Sequence, residues 1–230
     1  MFARNQTPPR RFSGKAAYTL CSASSGRDIV HRMVVETAFR SEEQFDQEEF
    51  RRWLDRRPRS DINHYELIHG RIVMTPPAGW PHGSIETRIS AALDAHIRAK
   101  KLGIVLGSSA GYDLPSGDTL EPDVSFISNE RFAAGPKPIE GQFLRIVPNL
   151  VVEILSRSTA RRDRTEKKEV YASNGVDEYW LVDATRKEII VFDRTARGFS
   201  AGKTCSRGHV SSKMLPALRL PVKEVFALER

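Results

Sequence analysis

A short apolar run with one acidic residue in its middle constrains this chain more than any other feature. Residues 150–155 read Leu-Val-Val-Glu-Ile-Leu, in which Glu153 is the single polar side chain. A continuous run of this length is typical of a strand buried on both faces of a sheet. An isolated ionised carboxylate is expensive to bury, so Glu153 must be protonated, paired or bound to a metal. Simple pairing with a basic residue at the strand end explains the pattern equally well.

A second acidic residue opens another strand-like segment. Residues 121–127 read Glu-Pro-Asp-Val-Ser-Phe-Ile, and Asp123 directly precedes the apolar part. Proline is tolerated at the start of a strand, where its missing N–H leaves no neighbour unpaired. We therefore expect Asp123 at the rim of a sheet, near the strand that carries Glu153. The alternative is an Asp that satisfies the amides of a turn, which is common beside proline.

The third polar pattern comes after the buried strand, where we predict a helix over residues 163–173. Asp163, Lys167 and Tyr171 are four residues apart, so each drifts by about 40° from the last and all three share one face. If the helix packs back on the preceding strand, Lys167 can reach the acidic pair. Lys168 is the competing candidate, about 100° further round the helix. A surface helix with a weak Asp–Lys pair is the alternative interpretation.

Around these segments, strand-like runs alternate with amphipathic helices. The sequence predicts an α/β fold with a mixed central β-sheet flanked by helices. The predicted strands are residues 65–68, 71–74, 104–107, 111–114, 123–127, 150–155, 179–182 and 188–192. A long helix over residues 80–101 carries apolar side chains at helical spacing. A shorter helix is predicted to begin at Ser41, because Ser41 and Gln44 have the spacing of a capping box.

The basic charge is concentrated at the amino-terminal end of the chain. The 230 residues carry a formal net charge of +7, and residues 1–32 hold six basic residues against one acidic residue. This segment is rich in Ser, Arg, Pro and Gly and lacks periodicity, so we expect a disordered or artefactual N-terminal extension. Residues 33–230 then form a single domain. Two cysteines are too few for a disulfide framework, and we expect a cytoplasmic protein without membrane spans.

Taken in order, these segments resemble the Uma-type family of restriction endonucleases, which is placed in the PD-(D/E)XK nuclease superfamily. The resemblance runs from about Ser41 to Phe226. It is carried by Tyr65–Gly70, His82, Glu121–Val124, Val151–Ser156, the spaced residues Asp163, Lys167 and Tyr171, and Gly175–Asp183. It implies a restriction-endonuclease-like core and the Mg²⁺- or Mn²⁺-dependent hydrolysis of DNA phosphodiesters.

The resemblance also implies roles for individual residues. Asp123 and Glu153 match the catalytic acids that hold the metal, and Glu66 is a possible further ligand. Hard carboxylate oxygens suit Mg²⁺, which lowers the pKa of a bound water. The superfamily's usual lysine position, two residues after the second acid, is Leu155 here. The resemblance implies that the catalytic lysine has moved to the following helix, at Lys167, where it can stabilise the transition-state charge.

Other polar residues are weaker candidates. Packing or capping is the commoner role for a histidine such as His82, and arginines near acids often only neutralise them. The candidates for contact with substrate are His82, Arg157, Arg161 and Arg162. Asp163 and Tyr171 are expected to contact and orient the catalytic residues rather than the substrate.

Two other functions remain open at this point. The displaced lysine is consistent with a nucleic-acid-binding module that kept the fold and lost the chemistry. The modest charge of residues 33–230 is consistent with a hydrolase of another phosphate ester. We expect DNA as the partner, and a homodimer is possible because many nucleases of the superfamily place one site on each strand.

Overall fold

The structure is a computed structural model, and it describes residues 39–227. The predicted extension, residues 1–32, lies outside the described residues. The extension and the single domain over residues 33–230 therefore stay predictions. Among the helices of residues 39–227, none is both long and apolar enough to cross a bilayer.

The described chain alternates short strands with a few helices. The helices are α1 (Gln47–Leu54), α2 (His82–Lys100), α3 (Asn129–Ala134), α4 (Ala160–Arg162), α5 (Lys168–Asn174) and α6 (Val222–Val225). A π-helical turn, Asp163–Lys167, joins α4 directly to α5. The strands are β1 (His64–Ile68), β2 (Arg71–Thr75), β3 (Gly103–Gly107), β4 (Tyr112–Asp113), β5 (Thr119–Leu120), β6 (Val124–Ser128), β7 (Leu150–Ile154), β8 (Glu178–Asp183), β9 (Glu188–Thr195), β10 (Gly198–Phe199), β11 (Lys203–Cys205), β12 (His209–Val210) and β13 (Leu220–Pro221).

The central sheet has seven strands in the order β10-β9-β8-β7-β6-β3, with β11 also paired to β9. Strands β7 and β8 are parallel, because the segment from α4 to α5 crosses over between them. The other pairs in this sheet are antiparallel. The predicted mixed sheet flanked by helices is therefore confirmed.

Helices cover both faces of the central sheet. Helix α2 buries Ile85, Ile89, Leu93 and Ile97 completely, against a sheet face that includes Val152. Helix α5 packs on the opposite face with Val170 and Tyr171, beside Val151 and Tyr179. Burying one such side chain stabilises a fold by about 1.5–3 kcal/mol. The central strands are therefore packed between two helical layers, which fixes the positions of the strand ends.

A second, four-stranded sheet brings another acidic residue towards these strand ends. Its order is β2-β1-β5-β4, and the β1–β2 hairpin turns at His69 and Gly70. Both turn residues have positive φ, 52° and 72°, as a tight two-residue hairpin requires. The hairpin fixes the register in which Glu66 lies on β1.

One prediction about helices is wrong. Helix α1 is capped by Asp46 and Glu49, which form the reciprocal capping box predicted for Ser41 and Gln44. The Ser41 hydroxyl instead accepts a hydrogen bond of 2.9 Å from the amide of Ile72 on β2. The helix predicted over 163–173 is observed, and its first residues, Asp163–Lys167, form the π-helical turn.

Candidate active site

Two acidic residues lie side by side at one margin of the central sheet. Strands β6 and β7 are antiparallel, and Val124 is paired with Val152. The next residues outward are therefore Asp123 and Glu153, which follow the same alternation of faces. The amide of Ile154 donates a 2.6 Å hydrogen bond to Oδ2 of Asp123 and fixes that carboxylate at the margin.

Lys167 reaches the same place from the crossover segment. Its Nζ lies 2.6 Å from Oε1 of Glu153 and 2.8 Å from Oε1 of Glu66. The hydroxyl of Tyr171 donates a 2.9 Å hydrogen bond to the same Oε1 of Glu153. The residues Glu66, Glu153 and Lys167 are only 3–4% exposed. The structure thus joins residues from β1, β7 and the π-helical turn in one buried network.

The π-helical turn explains how residues spaced by four converge so closely. In an α-helix each step of four drifts in the same direction, by about 40°. A π-helical turn takes more residues per turn, so its first step offsets the drift of the second and keeps Asp163 aligned with Tyr171. Lys168 points elsewhere, with its Nζ 3.8 Å from the centre of the Phe192 ring. The structure therefore favours Lys167 over Lys168 as the lysine of this site.

The buried network contains more carboxylates than cations. Burial raises the pKa of Glu153 well above its ordinary value, despite the opposing charge of Lys167. Burial also raises the pKa of Asp163 to about 6, against the lowering effects of Lys167 and Thr159. Burial alone lowers the pKa of Lys167, but the carboxylates of Glu153 and Glu66 outweigh it and raise that pKa. Lys167 contacts Glu153 and Glu66 directly and acts on Asp163 at longer range together with Arg162, so the carboxylates still outnumber the cations.

A second cluster adjoins the first through Asp123. Nε2 of His82 lies 3.2 Å from Oδ2 of Asp123, and its Nδ1 lies 3.9 Å from Oε2 of Glu86. One ligand atom from each of the three residues lies within 4.8 Å of the others, the spacing of a metal site. Burial lowers the pKa of His82, but the hydrogen bond with Asp123 outweighs it and the pKa is raised. Within residues 39–227 this is the one such cluster.

Sequence reasoning missed Glu86, although a signal was present. His82 and Glu86 are four residues apart at the start of α2, so both side chains lie on one helix face. That spacing brings an imidazole and a carboxylate together. His82 is also a candidate for contact with substrate, and its ring lines the cleft and lies against Asp123.

Both clusters open into one cleft of about 400 Å³. Its ionisable lining comprises six acids, two permanent cations and two histidines. These are Glu66, Glu86, Glu121, Asp123, Glu153 and Asp163, then Arg162 and Lys167, then His64 and His82. Acids therefore outnumber permanent cations in the cleft, and a bound divalent cation would offset that excess.

The three arginines considered for substrate contact differ in position. Arg162 lines the cleft, is 9% exposed and donates from Nη2 to Oγ1 of Thr75 at 2.6 Å. Its Nε is buried and has no hydrogen-bond partner among the described residues. Arg157 and Arg161 are exposed on the flanking segment and do not line the cleft. Arg162 is the arginine best placed for a phosphate inside the cleft.

Comparison with known proteins gives the family and the fold of this chain. The profile of the Uma2 family, described as "Putative restriction endonuclease", matches residues 47–223. A crystal structure described as "a putative nuclease belonging to DUF820", from Anabaena variabilis, superimposes with a TM-score of 0.65 at 16% sequence identity. The match covers 80% of this chain and 98% of that one. Among curated proteins, a sequence search finds no match.

Proposed function

The chain belongs to the Uma2 family of restriction-endonuclease-like proteins, and from this premise we propose that it is a Mg²⁺- or Mn²⁺-dependent DNA endonuclease. The observation that carries the proposal is the meeting of Asp123, Glu153 and Lys167 at one sheet margin inside an acidic cleft. This is the arrangement expected of the PD-(D/E)XK superfamily with its lysine moved to the helix.

The donor set fits a divalent cation. Glu153 lines the cleft beside Asp123 and would supply a carboxylate oxygen to such a cation. Asp123 offers carboxylate oxygen at the same margin, and His82 and Glu86 add an imidazole nitrogen and a further carboxylate. When bound, such a cation lowers the pKa of a coordinated water and neutralises charge on the phosphate.

The remaining residues have roles that follow from their contacts. Lys167 stays protonated between Glu153 and Glu66 and can stabilise negative charge that develops on a phosphate. Tyr171 holds Glu153 in one orientation, because burial keeps its hydroxyl protonated and donating. Arg162 can bind a phosphate oxygen with a guanidinium that Thr75 already orients.

Cleavage of supercoiled plasmid DNA tests the proposal. We expect nicking by the full chain in Mn²⁺ or Mg²⁺ and none in EDTA. Glu153→Ala should reduce the rate by at least about 100-fold, as losing a transition-state contact does. The matched control is Glu130→Ala, which removes an exposed glutamate from α3 outside the cleft.

The outcome also separates the two other functions. Salt-dependent DNA binding without cleavage in any divalent metal would support a binding module that has lost the chemistry. Cleavage of a small phosphodiester without cleavage of DNA would support a different phosphate ester as substrate. A homodimer is also proposed, and sedimentation of the full chain tests it.

A further inference from the structure

The most exposed large hydrophobic side chain of the described residues stands beside the cleft. Trp80 is 79% exposed, more than Ile62 at 73% or Ile139 at 61%. It follows Pro76–Gly79, which line the cleft, and it precedes His82, which belongs to the proposed cation site. Residues on both sides of Trp80 line the cleft, so Trp80 lies at its edge with its side chain exposed to solvent.

Prolines restrict the backbone on either side of the Gly79–Trp80 pair. Residues 76–81 read Pro-Pro-Ala-Gly-Trp-Pro, so three prolines restrict φ over six residues. Two residues span at most about 7 Å, so the backbone of Trp80 is fixed close to that of His82. An aromatic ring presented this way loses little conformational entropy on binding.

The charge of the cleft makes an uncharged anchor useful. Six acids face two permanent cations in the cleft lining, so phosphates receive little attraction before a metal binds. Stacking of a base on an indole needs no charge and does not depend on the base. A base within a duplex is already stacked on its neighbours, whereas an unpaired base offers a free face.

We propose that Trp80 is a stacking platform for an unpaired nucleobase, and that the cleft accepts single-stranded DNA or a strand with unpaired bases. This inference names the substrate class of the proposed nuclease and so rests on that function. A second copy of the chain is the competing occupant.

Tryptophan fluorescence of the full chain tests the inference directly. Trp180 is fully buried and Trp53 is partly buried, so an added oligonucleotide acts mainly on the emission of Trp80. The probes are a 12-nucleotide oligothymidine and a duplex of equal length, both in Ca²⁺ and checked on gels to be intact. We expect quenching and tighter binding with the single strand. Trp80→Ala should weaken that binding by about 5- to 150-fold, and Trp80→Phe should retain most of it.

The controls separate this inference from the proposed function. Ile139→Ala removes an exposed apolar side chain outside the cleft and should leave binding unchanged. Wild-type affinity in Trp80→Ala, or equal affinity for the duplex, would overturn the inference even if plasmid cleavage were found. Trp80-dependent binding without any cleavage would leave the inference standing and remove the nuclease. A dimer that Trp80→Ala dissociates would assign the residue to an interface instead.

Discussion

Two clusters of this molecule each contain a basic residue, a carboxylate and a tyrosine, yet the pKa of the carboxylate is lowered in one and raised in the other. In one, Nη2 of Arg57 lies 2.6 Å from Oδ2 of Asp61, and the Tyr65 hydroxyl donates to that oxygen at 2.8 Å. In the other, Lys167 and Tyr171 contact Glu153 in the same way. Burial alone raises the pKa of Asp61, but the hydrogen bonds from Arg57 and Tyr65 lower it to about 2. The pKa of Glu153 is raised.

Part of the difference comes from burial, because Glu153 is buried as a whole residue whereas Asp61 is only partly buried, and burial is the largest influence that raises the pKa of Glu153. The carboxylate side chains of Asp61 and Glu153 are 6% and 5% exposed. Asp61 also accepts hydrogen bonds from the backbone amide and the side chain of Asn63, so one acid has several donors. Lys167 instead contacts two acids, Glu153 and Glu66.

We call the cluster of Arg57, Asp61 and Tyr65 balanced, because its one carboxylate has several donors. The cluster around Lys167 is unbalanced, because its acids outnumber its cations. A balanced cluster stabilises the fold by itself, whereas an unbalanced one is typical of a site that an outside cation completes.

The largest effect should come from removing the cation of each cluster. Lys167→Met leaves Glu153 and Glu66 buried without the cation that contacts both of them, and we expect the free energy of unfolding to fall by about 3–5 kcal/mol. Arg57→Met should lose only about 1 kcal/mol, because the Arg57 side chain is 39% exposed and its partner has other donors. Urea unfolding of the full chain in EDTA measures both.

Equal losses in the two variants would contradict the comparison. Failure of Lys167→Met to fold would agree with it but give no magnitude. In that case Lys167→Arg, which keeps the positive charge in a larger side chain, should still fold and lose less than about 3–5 kcal/mol. A loss of that full size would show that packing rather than charge determines the stability of the cluster.

A divalent cation should stabilise the unbalanced cluster and not the balanced one. At a Mn²⁺ concentration 100 times its Kd, stabilisation is about 2.7 kcal/mol, or roughly 5–10 °C in Tm for a chain of this size. Asp123→Asn should abolish the shift, because Asp123 adjoins both clusters of the cleft. His82→Ala should weaken Mn²⁺ more than Mg²⁺, since imidazole suits transition metals. Calorimetry of metal binding checks the two affinities.

The matched variant for this experiment is Asp61→Asn, which alters an acid outside the cleft and should keep the full shift with Mn²⁺. An unchanged shift in Asp123→Asn would place the cation somewhere else. It would also mean that a cation bound at Asp123 does not account for the excess of acids in the cleft.

The fold could be predicted from local patterns, because apolar runs and helical spacing set each strand and helix separately. The buried run around Glu153 and the Pro-Asp start at Asp123 predicted neighbouring strands, and their pairing is observed. The start of the first helix was misplaced because Ser41 and Asp46 both precede a suitable partner by three residues. Only the contact of Ser41 with Ile72, from a distant strand, decides between them.

The site was harder to predict because the ratio of its acidic to its basic side chains depends on residues that are far apart in sequence. Spacing by four indicated Lys167, but it could not show that Glu66 from the other sheet shares that lysine. It also could not show that a π-helical turn aligns the helix residues. The role of Glu86 could not be predicted because it depends on where α2 begins. The helix begins at His82, and its first turn places His82 against Asp123 with Glu86 on the same face.

The smallest effect should be the pH dependence of the balanced cluster. The pKa of Asp61 is about 2 in the folded chain, below its ordinary value of 3.8, so the ionised carboxylate favours folding. Its contribution is complete above about pH 4 and is lost as the pH falls towards 2. Asp61→Asn should therefore lower the free energy of unfolding by about 1 kcal/mol at pH 6 and by less near pH 2. Urea unfolding of both proteins across this range measures the difference; a difference that stayed constant would mean that the charge of Asp61 contributes nothing, and that its cluster is held by hydrogen-bond geometry alone.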